Sequence, residues 1–370
     1  MHLKKIVNIM PDDKFLDYYI EMSEQFLPGA SSYVILADAL PLKYVKSEHE
    51  SLLVVPRNKA AFEQLLNALN FTQVVVFHSF QLPMQAFIKA IPANIKKIWI
   101  FWGFEGYRAF PKNRFVGMRT HLAMYEPSVK GKVRGLWDRF KGNFLLRKHL
   151  ASRDIIRQMD YLATFVQEDE AMISSIHPKI KTVSFNYYTR ELMKLDEIPI
   201  QPLDLNRLLL GNSGDPTNNH IEALYYLHRI QYQGEITCPL SYGGKKDYVE
   251  RVCSLGTRLF GKQFHALRTF MPVNVYHEII NSCGIVWMNH KRQQAAGNLL
   301  VSFISAKVII LDQANPLNET FKAWGLTYYH KEVLLNLDKI DTTQIRQNRL
   351  QVLNRVGMEQ NEAFFSILNP

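Results

Sequence analysis

Two doubly wound α/β domains in tandem are predicted by three features of this 370-residue sequence. Short apolar, β-rich runs recur along it, each followed by a stretch of helical length and pattern, the rhythm of a parallel sheet with helices on both faces. The runs do not alternate apolar with polar residues, as expected of strands covered on both sides. The rhythm then stops at a proline-rich polar stretch, LDEIPIQPLDLN (195–206), and restarts beyond it. The chain also exceeds the size at which a single core usually stops growing.

In order, the runs of the first half are KKIVNIM (4–10), SYVILA (32–37), SLLVVP (51–56), QVVVFHSF (73–80), KKIWIFWG (96–103) and YLATFV (161–166). Those of the second are NRLLLGN (206–212), QFHALRTF (263–270), CGIVWMN (283–289) and AKVIILD (306–312). The reading is a first domain over 1–195, a second over 206–340 and a C-terminal helix over 341–370. That helix is amphipathic through Ile345, Leu350, Val352, Leu353, Val356, Phe364 and Phe365 and is expected to pack back toward the first domain. Two such domains would face a central cleft formed by the carboxyl ends of their strands, where ligands of doubly wound folds bind.

Composition narrows the class. With 47% hydrophobic and 21% charged residues the chain reads as globular, not disordered. Cys238, Cys253 and Cys283 are odd in number and lack CxxC spacing, which suggests neither a disulfide framework nor a zinc site and fits a reducing compartment. No apolar run reaches the roughly 20 residues needed to span a bilayer, and the N-terminal run is too short for a signal peptide. A soluble or peripheral protein is expected.

The net charge is +10, and its distribution matters more than its total. Residues 107–157 hold thirteen Lys/Arg against Glu126, Asp138 and Asp154, an excess equal to the net charge of the whole chain. These cations, Lys112 among them, are interleaved with Phe110, Phe115, Met118, Met124, Tyr125, Leu136, Trp137, Phe140, Phe144, Leu145 and Leu146. Cations beside exposed aromatic and aliphatic groups suit an anionic membrane surface. Nucleic acid, with aromatics stacked on bases, is a rival reading, and a solvated loop with a few core anchors is a third.

Three segments suit a phosphorylated ligand. In LLLGNSGDPTNNHIEAL (208–224) a strand runs through Gly211, Asn212, Ser213, Gly214 and Asp215 into a helix whose free N–H groups and dipole favour a diphosphate. His220 lies one turn into it, as a phosphate partner or a solvated histidine. The segment is neither GxGxxG nor a P-loop, and it also reads as an ordinary turn capped by Asp215 or Thr217. PLSYGGKKDYVERV (239–252), a strand end and a Gly pair before a helix, would bring Tyr242 and Gly243 to the same rim, and it also reads as a plain turn. In IVWMNHKRQQAAGNLL (285–300), Lys291 and Arg292 can neutralise phosphate, while Gln293, Gln294 and Asn298 can hydrogen-bond sugar hydroxyls. In the first half, His78 and Glu105 fall just beyond strand ends. Either is a candidate base for an acceptor hydroxyl, Glu105 through desolvation by Trp102, Phe104 and Tyr107. A core histidine and a surface carboxylate paired with Arg108 are the plain alternatives.

As an ordered set, GNSGD, NHIEAL, PLSYGG, RQQ with GN shortly after, and ANPLNETF (314–321) resemble the 4-alpha-L-fucosyltransferase family, glycosyltransferase family 56. The resemblance is strongest over about 208–325. It implies a GT-B fold, inversion at the anomeric carbon, no required metal or other cofactor, and peripheral association with the inner face of a bacterial membrane. The implied substrates are a nucleotide-diphosphate sugar, dTDP-linked N-acetylfucosamine in the family's known member, and a polyprenyl-diphosphate-linked saccharide of the kind used for enterobacterial common antigen. On this view the second domain holds the donor through Gly211–Asp215, Tyr242, Gln293, Gln294 and Asn298. The first domain receives the acceptor, and the basic stretch meets membrane and not nucleic acid. Other classes compatible with the residues are a nucleotide-sugar epimerase or hydrolase and a basic nucleic-acid-binding protein.

Overall fold

The computed structural model describes residues 2–111, 114–125, 128–141, 146–269 and 271–369. Lys112, Glu126, Phe144 and Leu145 of the basic stretch lie outside the described residues. In chain order the elements begin with β1 (Ile6–Pro11), α1 (Leu16–Phe26), β2 (Ser31–Leu36), β3 (Leu52–Val55), α2 (Lys59–Ala68), β4 (Val74–His78) and α3 (Gln85–Ala90). There follow β5 (Lys96–Ile100), α4 (Phe104–Tyr107), α5 (Met118–Leu122), α6 (Val129–Lys141), α7 (Arg147–Ile156), β6 (Tyr161–Ala163), α8 (Gln167–Ser174) and β7 (Lys181–Val183). The second run of strands is β8 (Arg207–Leu210), α9 (His220–Arg229), β9 (Glu235–Pro239), α10 (Lys246–Phe260), β10 (Phe264–Leu267), α11 (Val273–Ser282) and β11 (Ile285–Met288). The chain closes with α12 (Ala296–Ile304), β12 (Val308–Leu311), α13 (Leu317–Ala323), α14 (Thr342–Leu353) and α15 (Glu362–Leu368).

Two compact units result, Met1–Phe110 with Leu146–Met193 and Val356–Pro370, and Pro111–Leu145 with Lys194–Arg355. The first holds a parallel seven-stranded sheet in the order β3-β2-β1-β4-β5-β6-β7. Its strand order reverses direction between β1 and β4, which pair in register from Ile6 opposite Val74 to Ile9 opposite Phe77. The second holds a parallel five-stranded sheet, β10-β9-β8-β11-β12, reversing between β8 and β11. Val74 to His78 in β4 and Ile285 to Met288 in β11 are buried throughout, as runs without alternation should be when helices cover both faces. Each fully buried Val, Phe or Ile contributes about 1.5–3 kcal/mol, enough for each sheet to carry its own core.

Three sequence expectations meet a different outcome. The helix expected over 341–370 is two helices. Ile345 of α14 packs in the core of the second unit, whereas Phe364, Phe365 and Leu368 of α15 join that of the first. Leu350, placed on the apolar face by the pattern, is exposed. The stretch 107–157 is also divided, because 111–145 belongs to the second unit and 146–157 to the first. Polar contacts with α9, described below, join it to the second unit, and Ala123 packs against that unit's core while its carbonyl accepts from Arg251 of α10 at 2.7 Å. Strands β7 and β9 had no run of their own in the sequence reading: β7 is a three-residue edge strand with Lys181 and Thr182 exposed, and β9 is a short EITCP bounded by Glu235 and Pro239.

Candidate active site

In the second unit three loops meet at the carboxyl ends of β8, β9 and β11. Gly211 leaves β8 with φ 72°, in the left-handed region, and its amide donates to the Trp287 carbonyl at 2.9 Å. The Gly214 amide donates to the Tyr242 carbonyl at 2.7 Å, and a Cβ on Gly244 would overlap the Gly214 carbonyl. The β8–α9 and β9–α10 loops therefore pass backbone against backbone, and glycine is what allows it. Gly243, at φ 84°, sits against Ser213 at the tip.

Side chains continue the link. Thr217 Oγ1 donates to Gln294 Oε1 at 2.7 Å, Gln294 Nε2 to Asn212 Oδ1 at 3.0 Å, and Asn212 Nδ2 to the Tyr242 hydroxyl at 3.1 Å. Gln294, Asn212 and Tyr242, three residues that sequence reasoning assigned to one site from separate segments, form a single chain across the three loops. Tyr242 is half-exposed at its end. Asn298, in the first turn of α12, donates to the Tyr276 hydroxyl of α11 at 3.1 Å. Asp215 accepts from the Thr217 amide at 2.9 Å and so caps the short turn 216–218. Ala295, which precedes α12, has φ 59°, a non-glycine residue held in the left-handed region at a cost of about 1–2 kcal/mol. Arg292 and Gln293 are partly buried in the same loop.

Beneath this rim lies a buried layer that sequence reasoning missed. Asn218 Oδ1 accepts from the Asn212 amide at 2.9 Å and contacts His290 Nε2 at 2.7 Å, while Asn218 Nδ2 donates to the Asp215 carbonyl at 2.9 Å and to Ser213 Oγ at 3.2 Å. An amide oxygen cannot donate, so His290 carries its proton on Nε2. The only outward sign of this hub was the Asn218–Asn219 pair before a helix. His220 belongs to the same layer: it is fully buried, with Nδ1 3.1 Å from the Tyr248 hydroxyl. Burial lowers its pKa to about 4, against the pull of Asp215 and the Ser213 backbone. This burial overturns the reading of His220 as a solvated histidine and leaves a neutral imidazole directly beneath the loop.

The same layer holds the segment after Pro111. Asn219, at φ 51°, accepts from the Gly117 amide at 2.7 Å and donates to the carbonyls of Phe115, Thr217 and Asn289 at 3.1–3.2 Å. The Thr120 amide donates to Glu222 Oε1 at 3.0 Å, and its hydroxyl bonds the same carboxylate. Residues 114–125 are thus latched to the first turn of α9.

In the first unit a cleft of about 320 Å³ opens at the carboxyl ends of β1 to β5, between residues that include Met10, Pro11, Asp38, Arg57, Ser79 and Trp102. It lies at the reversal of strand order, where doubly wound sheets bind ligands. Ser79, just after β4, has φ 73°. His78 lines the cleft but has neither ring nitrogen to spare. Trp102 Nε1 donates to the Tyr187 hydroxyl at 3.0 Å, which meets His78 Nδ1 at 2.6 Å; His78 Nε2 is 3.5 Å from Asn8 Oδ1, which also accepts from the Tyr19 hydroxyl at 2.7 Å. The network assigns the proton to Nε2 and the Tyr187 proton to Nδ1, and burial holds the ring's pKa well below its ordinary value.

Glu105 is fully buried. Its Oε1 accepts from Trp99 Nε1 at 3.0 Å and from the Trp102 amide at 2.8 Å, closing the turn between β5 and α4. Desolvation raises its pKa to about 7, opposed by the Trp102 and Trp99 hydrogen bonds and by Arg108. The aromatic neighbours do raise its proton affinity, and they do so by enclosing it: Glu105 is fully buried, and both ring nitrogens of the buried His78 have polar neighbours. Because the folded state binds the Glu105 proton more tightly, its contribution is fully present below about pH 4.5 and is lost as pH rises through about 7, a swing of about 3 kcal/mol. Glu105→Gln is expected to flatten this dependence, read as Tm against pH from 4 to 8; an unchanged profile would contradict it.

One carboxylate two residues beyond the cleft-lining Pro11 was not singled out from sequence. Asp13 follows Pro11 in the β1–α1 turn and is half-buried; burial raises its pKa, against the Phe15 amide and Lys14. Its neighbour Asp12 differs, since amides of Lys43, Tyr44 and Val45 bind its carboxylate at 2.6–3.0 Å and its pKa is lowered. Asp38 faces Arg57 at 3.9 Å.

Two doubly wound units of this kind are the architecture of the GT-B fold. Solved structures share the fold along nearly the whole chain. Trehalose-6-phosphate synthase OtsA superposes with a TM-score of 0.63 at 11% identity, covering 99% of each chain. HepE of Anabaena in complex with UDP-glucose gives 0.62 at 9% over 98% of each, and an alpha-glucosyltransferase in complex with UDP-glucose and abasic-site DNA gives 0.56 at 10% over 100% of each. The chain belongs to the 4-alpha-L-fucosyltransferase family, glycosyl transferase group 56, whose sequence profile matches residues 139–368. The ordered motifs had pointed to that family, and membership sets aside the epimerase and hydrolase readings.

Proposed function

We propose that this glycosyltransferase moves a deoxyamino sugar such as N-acetylfucosamine from dTDP to a polyprenyl-diphosphate-linked saccharide, at the inner face of a bacterial membrane and with inversion. The observation that carries the donor half is the Gln294–Asn212–Tyr242 chain spanning three loops around the Gly211–Asp215 turn. Backbone N–H groups of the first turn of α12, with Lys291 and Arg292, would stabilise the leaving diphosphate without a metal, while the glycines of the Gly211–Asp215 turn let it approach. Gln293, Gln294 and Asn298 would orient the sugar. Structures that share the fold bind UDP-glucose, which supports a nucleotide-sugar donor.

The acceptor would enter the cleft of the first unit. Its hydroxyl oxygen attacks the anomeric carbon, the bond from that carbon to the β-phosphate oxygen breaks, and Asp13 takes the hydroxyl proton. Asp13 suits this role because it follows the cleft-lining Pro11 by two residues and because burial increases its basicity while leaving it partly open, unlike Asp12, whose pKa is lowered, or Glu105, which is fully buried. Incubating the protein with dTDP-N-acetylfucosamine and a polyprenyl-diphosphate disaccharide tests the reading. The expected product carries the sugar with inverted anomeric configuration, and turnover is unchanged by EDTA. Retention of configuration, or no transfer from any deoxyamino-sugar nucleotide, would overturn it.

A further inference from the structure

An amphipathic helix at a protein surface normally turns its apolar stripe toward the core. Helix α6 does the reverse. Val129, Val133, Leu136, Trp137 and Phe140 recur at helical spacing on one face and are 78%, 58%, 51%, 60% and 57% exposed. The face that meets the rest of the second unit has glycine at its closest approach, flanked by the half-buried Asp138 and Arg139: Gly131 and Gly135 are buried, a Cβ on Gly135 would come within 3.0–3.3 Å of Tyr125 and Leu122, and the Gly135 carbonyl lies 2.9 Å from His121 Nε2. The small residues let the helix sit close on α5 and leave its large residues outward.

The outward face has a definite chemistry. Trp137 and Phe140 stack at 6.0 Å and 23°, and Lys141 Nζ lies 5.4 Å over the Trp137 ring. Lys130, Lys132, Arg134 and Lys141 are exposed around them, while the one acid of the helix, Asp138, accepts from the Tyr125 hydroxyl at 3.0 Å. Thirteen residues give a length of roughly 20 Å, too short to cross a hydrocarbon core of roughly 30 Å but suited to lying in its interface. Cations so placed add electrostatic attraction to an anionic surface.

We propose that α6 is an in-plane anchor that seats Trp137 and Phe140 at the headgroup boundary of an anionic bilayer, so that the unit bearing the glycine loop is itself held on the membrane. This rests on the membrane-side acceptor of the proposed function and changes which part of the molecule provides the contact. Through the latch of residues 114–125 to Asn219 and Glu222, the anchor is joined directly to the first turn of α9.

The test is flotation of the full chain with vesicles of phosphatidylcholine alone and with one third phosphatidylglycerol. Each protein is assayed in parallel for transfer to a short-chain, water-soluble acceptor. Wild type is expected to float with the anionic vesicles and to lose binding as salt rises. Trp137→Ser with Phe140→Ser should lower vesicle affinity at least tenfold, and so should Lys130→Glu with Lys132→Glu, both keeping wild-type transfer to the soluble acceptor. That parallel assay separates the two readings, since its failure in wild type concerns the reaction and not the anchor. Undiminished flotation of both variants would overturn the proposal. So would binding to an oligonucleotide without vesicle binding, or a wild-type dimer that Trp137→Ser with Phe140→Ser dissociates.

Discussion

Asp13→Asn is expected to lower kcat by about 10²–10⁴-fold while leaving the affinity for dTDP unchanged, because a positioned base contributes on that scale and the donor loop lies in the other unit. The substitution keeps the acceptor for the Phe15 amide, 3.3 Å from Asp13 Oδ1, so the β1–α1 turn should survive it. Wild-type rate should rise with pH through the raised Asp13 pKa, and the variant should lack that limb. Asp12→Asn provides the contrast. It weakens three amide contacts to residues 43–45 and should act on stability with little specific effect on the pH profile. Near-normal turnover of a folded Asp13→Asn protein would remove Asp13 from the mechanism.

A comparable loss is expected from Gly211→Ala, here in donor binding. The alanine would occupy φ 72°, at a cost of about 1–2 kcal/mol, and its Cβ would lie 2.6 Å from Asn218 Oδ1 and 3.1 Å from His220 Nε2. Moving Asn218 strands the Asn212 amide and His290, and each stranded buried group costs about 1–3 kcal/mol. The loop is therefore expected to lose its shape, with dTDP affinity falling at least tenfold. Gly29→Ala is the control, since Gly29 has φ 67° with nothing within 4 Å of an added Cβ. It should carry the backbone strain alone and bind dTDP normally. Equal effects of the two substitutions would show that strain, not the Asn218 layer, accounts for the loss.

Much of the fold was legible because its strands are buried runs flanked by helical stretches, a pattern that survives in one dimension. Strands β7 and β9 escaped because an edge strand exposes Lys181 and Thr182 and because Pro239 closes β9. The C-terminal pattern gave helix correctly but not its break near Gly357, since periodicity does not say which core receives each turn. In the site, Asn212, Tyr242 and Gln294 were legible as polar groups at strand ends. Their mutual bonding was not, because it depends on loops distant in sequence. For Glu105 and His220 the residue types suggested chemistry but gave no sign that both would be fully buried. Composition identified the basic, aromatic stretch, but only the helix showed that its glycines face inward and its Trp137 outward.

The central claim is that the glycine loop of the second unit binds a nucleoside diphosphate, and ligand-dependent thermal unfolding measures it most directly. With dTDP at about 100 times its Kd the native state gains about 2.7 kcal/mol, a readily measured rise in Tm. The account predicts that rise for wild type, its retention in Asp13→Asn and its loss in Gly214→Val, whose Cβ would meet Val249 at 2.9 Å and the Tyr242 carbonyl at 3.2 Å. A wild-type Tm unmoved by dTDP, UDP and GDP alike would contradict it.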